Sequence, residues 1–248
     1  MTSLWRGEDC MKERSSIDPI LEGNLTLVRE TIESACNAVG RDARQVMLQA
    51  VTKTVEPQRI NQAIALGVRC IGENRVQEFL EKKPYLTLDG VEAHLIGHLQ
   101  TNKVKQIVGE VSMIQSVDSV KVAKAISDRS LQAGITTPIL VEVNMENEAS
   151  KSGVAADELE RLLHEIHNFS GIHVRGLMTV PPILRTEYEK RHVFSKMFQL
   201  FVDIGAKKLD NIDMLELSMG MSGDYREAVM EGATIVRVGS AIFGRRQY

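Results

Sequence analysis

The chain has 248 residues, of which 43% are hydrophobic and 25% are charged, a composition typical of a globular protein. Its net charge of -3, with lysines and arginines dispersed along the chain, argues against a nucleic-acid partner and against a basic membrane-binding surface. No apolar run approaches the roughly 20 residues that a membrane-spanning helix needs. A small molecule is therefore the expected partner.

The three cysteines, Cys10, Cys36 and Cys70, are odd in number and form no CxxC pair. This usage is typical of reduced thiols, and the N-terminal residues contain no hydrophobic signal segment. We therefore expect a cytoplasmic protein. Residues 1–17 are polar and mixed in charge, so we expect a flexible extension there, followed by one domain over residues 18–248.

The first predicted element is a helix that begins near Leu21 and ends before Gly40, because apolar residues recur in it at helical spacing. We expect this helix to pack across the bottom of the domain. Eight short apolar runs then predict strands at 46–51, 69–72, 92–96, 113–117, 139–143, 174–178, 214–217 and 234–238. Helical patterns between them cover 58–66, 74–83, 102–108, 119–133, 155–168, 188–204 and 224–231.

Glycines just past four of these helices, Gly67, Gly134, Gly205 and Gly232, are expected to end them. Strands that alternate with helices pair in parallel through crossovers. Eight such units in a chain close to the roughly 250 residues of a TIM barrel favour a closed (β/α)8 barrel over an open doubly wound sheet. No linker divides the chain, so we expect an α/β protein of one domain.

Lys53 follows the first predicted strand, and the tract from Ser218 to Asp224 and the pair Gly239-Ser240 follow the last two. Barrel closure makes these strands neighbours, and such barrels bind phosphate at the loops after strands seven and eight. A lysine amine can form a Schiff base with the aldehyde of pyridoxal 5'-phosphate (PLP), while backbone N–H groups surround its phosphate. The sequence therefore predicts a PLP site.

Each of these features has an ordinary alternative when taken alone. A strand-end lysine is usually solvated, and Asp224 and Glu227 have the spacing of a helix capping box. Arg237 alternates with Val236 and Val238, so it faces away from both. Inside the barrel, Arg237 would donate to the PLP pyridine nitrogen and add like charge beside Lys53, which favours the neutral amine. Outside, it would pair with a helix carboxylate.

Three other polar tracts are expected on the same rim, where they would contact the ring or fix Lys53: residues 72–74, 94–103 and 178–179. His164 and His167 share a helix face, but no cysteine or matching carboxylate lies near them. We therefore predict no metal site.

Seven segments together resemble the pyridoxal phosphate homeostasis protein family. They are AVTKT at Ala50, GENRVQE at Gly72, HLIGHLQTNK at His94, VNMENEASKSG at Val143, GLMT at Gly176, LSMGMSGDYREAV at Leu217 and VRVGSAIFG at Val236. The resemblance implies a barrel similar to the N-terminal domain of alanine racemase. It also implies a role in the intracellular supply and balance of PLP, with no settled enzymatic reaction.

The resemblance implies the following contacts with the cofactor. PLP would be held as a Schiff base on Lys53, with Arg237 at the pyridine nitrogen and Asn74 near the ring. Ser222, Gly239 and Ser240 match phosphate-binding positions, and Ser218, Met219 and Gly220 would line the approach.

Racemases place an acid/base group on each face of PLP and take one of them from an added domain of a partner subunit. This chain ends at Tyr248, and none of its tyrosines lies in a matching motif. We therefore expect a monomeric PLP carrier or buffer without catalytic residues, which could pass PLP to PLP-dependent apoenzymes. The alternatives are a PLP-dependent amino-acid racemase or lyase at the same site and a cofactor-free Schiff-base aldolase.

Overall fold

A computed structural model describes residues 17–146, 152–181 and 186–244. The predicted N-terminal extension lies outside these ranges except for Ile17, and so does the part of the VNMENEASKSG segment at 147–151. Among the helices of the described ranges, none combines the length and the apolar character that crossing a bilayer requires.

Eight parallel strands close into a barrel, which confirms the predicted (β/α)8 fold. The described ranges contain nine strands, of which all but β6 form the barrel: β1 Met47–Val51, β2 Cys70–Glu73, β3 Glu92–Leu95, β4 Met113–Val117, β5 Thr137–Asn144, β6 Val154–Ala155, β7 Ile172–Met178, β8 Ile212–Met221 and β9 Ile235–Val238. Around the barrel they follow the order β4, β3, β2, β1, β9, β8, β7, β5, and pairing of β4 with β5 closes the ring. The two-residue strand β6, which the sequence pattern did not predict, pairs only with the end of β5.

Helices surround this barrel in the described ranges. They are α1 Pro19–Ala38, α2 Pro57–Ala65, α3 Val76–Lys82, α4 Val104–Ile107, α5 Val120–Gln132, α6 Leu159–Ile166, α7 Glu187–Ala206, α8 Tyr225–Met230 and α9 Ser240–Phe243. Gly67, Gly134 and Gly232 follow helices with positive φ angles, as predicted. The prediction for Gly205 was wrong, because α7 continues to Ala206.

Helix α1 packs against α8, α9 and α2 on the outer wall, so the expected position across the bottom of the barrel was wrong. Its buried face consists of apolar residues at helical spacing, among them Leu21, Leu25 and Val28. The side chain of Asn24 donates a hydrogen bond to the carbonyl oxygen of Ile242 in α9, at 2.9 Å. Because α9 has only four residues, α1 supplies much of the apolar surface that covers this side of the barrel.

The barrel interior contains an apolar layer and a polar layer. Met47 lies beside Ile235, and two residues further along the same strands Gln49 lies beside Arg237. The apolar residues Met113, Leu140, Met178 and Ile235 pack together with Met47, separately from the main core between strands and helices. The polar layer is therefore closer to the carboxyl ends of the strands, where such barrels bind their ligands.

Candidate functional site

The structure places the predicted site residues at the same end of adjacent strands. Lys53 is partly buried in the turn after β1. Strand β1 lies between β2 and β9, and Asn74 follows β2. Strand β9 contains Arg237 and lies beside β8. The remaining residues are Ser218, Met219 and Gly220 at the end of β8, Ser222 after it, and Gly239 and Ser240 after β9.

A lysine on α3 holds the turn that carries Lys53. Lys82 Nζ donates to the carbonyl oxygen of Thr52 at 2.9 Å and to the carboxylates of Glu73 at 3.1 Å and Glu78 at 2.6 Å. The Thr52 hydroxyl also donates to Glu73 Oε2 at 3.0 Å. Burial raises the pKa of Glu73, and the nearby Lys82 opposes this shift.

The residue after Lys53 is fixed from the same helix. The backbone N–H of Thr54 donates to Glu78 Oε1 at 2.5 Å. Thr54 has a φ of 63°, a left-handed conformation that is uncommon outside glycine. Both neighbours of Lys53 are thus held by one cluster of charges, which fixes the backbone on either side of the lysine. Among the residues of this cluster, the sequence pattern placed only Glu73 near Lys53.

Two backbone amides converge at the start of α9. The N–H groups of Gly239 and Ala241 both donate to the Ser222 hydroxyl oxygen, at 3.1 Å and 3.2 Å. A Cβ added to Gly239 would stand 3.3 Å from Cβ of Val51, so the end of β9 lies tightly against β1. Ser240 is exposed between the two amides. Ser222 Oγ accepts both bonds and keeps its hydroxyl proton to donate, and a turn that collects N–H and O–H groups in this way suits an anion such as a phosphate.

The predicted capping box at Asp224 is absent from α8. The Asp224 carboxylate instead accepts a hydrogen bond from the backbone N–H of Met221 at 2.6 Å, which closes the turn between β8 and α8. Gly220 in this turn has a φ of 90°, and an added Cβ would stand 2.5 Å from Cβ of Ala228. The turn therefore requires glycine there.

Arg237 points into the barrel and is only 3% exposed. Its Nη1 donates to the Ser218 hydroxyl at 2.6 Å, and its Nη2 donates to the carbonyl oxygen of Thr179 at 2.7 Å. Burial lowers the pKa of Arg237 to about 10, against the opposing effects of Glu142 and Asp224. The guanidinium is therefore charged at neutral pH.

The inward position of Arg237 agrees with the alternation of the strand, because Val236 and Val238 belong to the outer core. The alternative of an outward salt bridge was wrong. By the same rule the side chain of Met219, which belongs to that outer core, points away from the barrel interior. Any contact of Met219 with a ligand at this site would come from its backbone.

Glu142 is a buried carboxyl group at the carboxyl end of β5 that the sequence pattern did not single out. Burial and the nearby Asp118 raise the pKa of Glu142 to about 7, against the opposing effects of Arg237 and His98. His98 itself contacts Asp118 at 3.3 Å. The alternation of Glu142 with Val141 and Val143 was the signal that could have identified it as an inward residue.

Two residues of the predicted rim, Asn74 and His94, differ in their positions. The backbone N–H of Asn74 donates to Glu73 Oε1 at 3.1 Å, and Gly97 approaches the Asn74 carbonyl so closely that an added Cβ would clash with it. His94 lies within β3, buried in the barrel. Its expected place on the rim was therefore wrong.

Comparisons with known proteins cover nearly the whole chain. Residues 25–247 match the family model of the alanine racemase N-terminal domain. A pyridoxal phosphate homeostasis protein from Aquifex aeolicus is 40% identical over 224 residues, which make up 90% of this chain and 97% of that protein. The crystal structure of an unknown protein from Bifidobacterium adolescentis has a TM-score of 0.86 and 38% identity, covering 90% of this chain and 94% of that chain. PipY from Synechococcus elongatus, solved with PLP bound, has a TM-score of 0.76 and 32% identity, covering 86% of this chain and 100% of that chain.

Proposed function

The chain belongs to the pyridoxal phosphate homeostasis protein family, and from that premise we propose that it binds PLP through Lys53 and acts as an intracellular carrier or buffer of this cofactor. The observation that supports this most is the placement of Lys53 on a clamped turn, on the strand next to the one that carries Arg237 and the converging amides. Homologues that are named for PLP homeostasis, and PipY with PLP bound, support the same assignment.

The residues at this end of the barrel fit the parts of PLP. A phosphate accepts hydrogen bonds, and the groups at Ser222, Gly239 and Ser240 are N–H and O–H donors. Arg237 uses two N–H groups for Ser218 and Thr179, and a guanidinium has five, so donors remain for an unprotonated pyridine nitrogen. The aldehyde of PLP supplies reversible covalent attachment to an amine, which Lys53 provides.

The carrier assignment depends on what Arg237 does to the cofactor ring. An arginine beside the pyridine nitrogen disfavours its protonation, and an unprotonated ring withdraws electrons weakly. The described tyrosines also lie outside the barrel interior, because Tyr85 and Tyr188 are exposed and Tyr225 packs in the outer core. We propose accordingly a cytoplasmic monomer that holds PLP and can release it to apoenzymes, without catalytic residues of its own.

A second candidate is a PLP-dependent racemase or lyase, and one observation favours it. Glu142 has its pKa raised to about 7 at the carboxyl end of the barrel, and a carboxyl group of that pKa can exchange protons at neutral pH. Glu142 would then exchange the α-proton of an amino acid that had replaced Lys53 on the cofactor aldehyde, with the Lys53 amine released.

PLP binding is tested by visible absorbance and by borohydride reduction followed by peptide mass spectrometry. We expect PLP to be fixed on Lys53, and Lys53→Ala to lose the visible absorbance of the bound cofactor. The matched control is Lys124→Ala, at an exposed lysine of α5 that pairs with Asp128, which should keep it. An unchanged spectrum in Lys53→Ala would refute the assignment.

Carrier and enzyme are separated by α-proton exchange of a panel of amino acids in deuterated water. The carrier predicts no exchange that turns over many times. Sustained exchange that requires Lys53 and is lost in Glu142→Gln would establish the racemase or lyase instead.

A further inference from the structure

A chain of hydrogen bonds crosses the barrel interior from Arg237 to the beginning of β3. Arg237 Nη1 lies 2.6 Å from Ser218 Oγ, and Ser218 Oγ lies 2.7 Å from Gln115 Oε1. Gln115 Nε2 lies 2.8 Å from His94 Nδ1, and His94 Nε2 lies 2.9 Å from Glu92 Oε2. Only Glu92, the first residue of β3, is exposed.

The direction of these bonds is set first by Arg237. A guanidinium can only donate, so the Ser218 oxygen accepts from Nη1. The proton of the Ser218 hydroxyl is then donated to the next partner, Gln115 Oε1. Because Gln115 Oε1 is the acceptor within reach of that proton, the side-chain amide of Gln115 presents its oxygen to Ser218.

A second amide sets the same orientation from the other side. Gln49 Nε2 contacts the carbonyl oxygen of Ile71 at 3.4 Å, and a carbonyl can only accept. The Gln49 oxygen is thus turned toward Gln115, whose Nε2 donates to it at 3.4 Å. The orientation of Gln115 is therefore determined twice, by Ser218 and by Gln49.

The chain also determines the tautomer of His94. Gln115 Nε2 donates to His94 Nδ1, so Nδ1 carries no proton. The ring proton is on Nε2, from which it is donated to the Glu92 carboxylate. A proton on Nδ1 would face the N–H donor of the Gln115 amide. A flip of that amide would remove this conflict, but it would turn an N–H donor toward Ser218, which already faces the N–H donor of Arg237.

We propose that Gln115, oriented by Gln49 and His94, is a positioning residue for Arg237. The proposal rests on the PLP site proposed above. Because the Ser218 hydroxyl donates its proton to Gln115, the Ser218 oxygen directs a lone pair at Arg237 Nη1 and accepts its hydrogen bond. The Thr179 carbonyl oxygen accepts the hydrogen bond of Nη2. These two acceptors fix the plane of the guanidinium and with it the directions of its remaining N–H groups, one of which would face the cofactor nitrogen. Without Gln115 the buried Ser218 hydroxyl loses its acceptor, and this plane is no longer fixed.

The test compares PLP affinity and the visible spectrum of bound PLP in Gln115→Met and the wild type. We expect Gln115→Met to bind PLP about tenfold more weakly, the size of one hydrogen bond to a charged group. The absorption maximum should shift, while borohydride still fixes PLP on Lys53. The matched control is Ser130→Ala, which removes another buried hydroxyl that bonds Thr137 at 2.6 Å. It should lower the melting temperature and leave affinity and spectrum unchanged.

A pair of variants at His94 keeps the test valid if Gln115→Met does not fold. His94→Asn preserves an acceptor at the position of Nδ1 and should retain the wild-type spectrum. His94→Leu removes that acceptor and should shift the spectrum in the direction of Gln115→Met. In the PLP-free wild type, nitrogen NMR should show the His94 proton on Nε2.

Three results would overturn the positioning role while the PLP site stands. They are wild-type PLP affinity and spectrum in Gln115→Met, equal spectra in the two His94 variants, and a proton on Nδ1 of His94. Wild-type protein that takes up no PLP at Lys53 would instead overturn the proposed function, and this role with it.

Discussion

The ammonium of Lys82 donates to the carbonyl oxygen of Thr52, the residue before Lys53, at 2.9 Å. The same ammonium forms ion pairs with Glu73 and Glu78, and Glu78 accepts a hydrogen bond from the amide of Thr54. One side chain on α3 therefore determines the geometry of a turn on β1. Three of the residues in this cluster, Glu73, Glu78 and Lys82, lie within eight positions of Asn74 in the sequence.

Lys82→Met should weaken PLP binding about tenfold and lower the free energy of unfolding by roughly 2 to 4 kcal/mol, because it leaves two partly buried carboxylates without their cation. The measurements are PLP titration and urea unfolding. Lys83→Met is the matched control, since Lys83 pairs with Glu110 at the surface and should cost less than about 1 kcal/mol. Equal effects of the two substitutions would contradict the role of Lys82 in holding the turn that carries Lys53.

Glu142→Gln should change how stability depends on pH. The pKa of Glu142 is raised from 4.5 to about 7 in the folded state, because burial disfavours the charge. Between these values the folded protein holds a proton that the unfolded chain has lost, so this group lowers stability as pH rises through the window. The total is at most roughly 3 kcal/mol.

Glutamine cannot ionise and escapes this loss. The stability of Glu142→Gln relative to the wild type should therefore increase from pH 4.5 to pH 7 and then level off. Urea unfolding of both proteins at pH values across this window measures the difference. A difference that stays constant across the window would show that Glu142 does not titrate there.

Ser222→Ala should weaken the binding of PLP about three- to tenfold and leave the binding of pyridoxal, which lacks the phosphate, unchanged. The substitution removes one donor and the contact that orders the amides of Gly239 and Ala241. Parallel titrations with PLP and with pyridoxal measure the loss of affinity for each compound. Ser195→Ala, at an exposed position of α7, is the control, and equal losses for PLP and pyridoxal would place the phosphate elsewhere.

Gly220→Ala should destabilise the protein by roughly 2 to 4 kcal/mol. Its φ of 90° is strained for alanine, and the new methyl group would stand 2.5 Å from Cβ of Ala228. Gly223→Ala is the control in the same turn, since nothing lies within 4 Å of its added Cβ, and it should change stability by less than about 0.5 kcal/mol. Thermal unfolding of both variants measures the contrast. Equal melting temperatures would contradict the geometry of this turn.

Local sequence patterns were sufficient to predict the strands. Met113–Val117 has the predicted bounds because all five of its residues are buried and turns bound the run. Val236 and Val238 correctly indicated that Arg237 faces inward. These predictions succeeded because alternation along a strand is a property of the backbone itself.

Helix ends were less predictable where packing competes with turn chemistry. Gly205 is a residue type that commonly follows the end of a helix. It nevertheless lies within α7, where an added Cβ would stand 3.2 Å from Cβ of Met214. Asp224 has the spacing of a helix cap, yet it binds Met221 in the preceding turn. In both cases a contact with β8 decided the outcome.

The spacing of apolar residues and glycines was sufficient to predict the eight-unit barrel and the end of that barrel where Lys53 and the last two strands meet. Only the tertiary structure decided that Lys82 clamps the Lys53 turn, that Glu142 is buried beside Asp118, and that Gln115 joins Ser218 to His94. Local periodicity follows from the steric limits of each residue with its chain neighbours. Contacts across a closed barrel depend instead on the stagger between strands that are far apart in sequence, and no local pattern encodes that stagger.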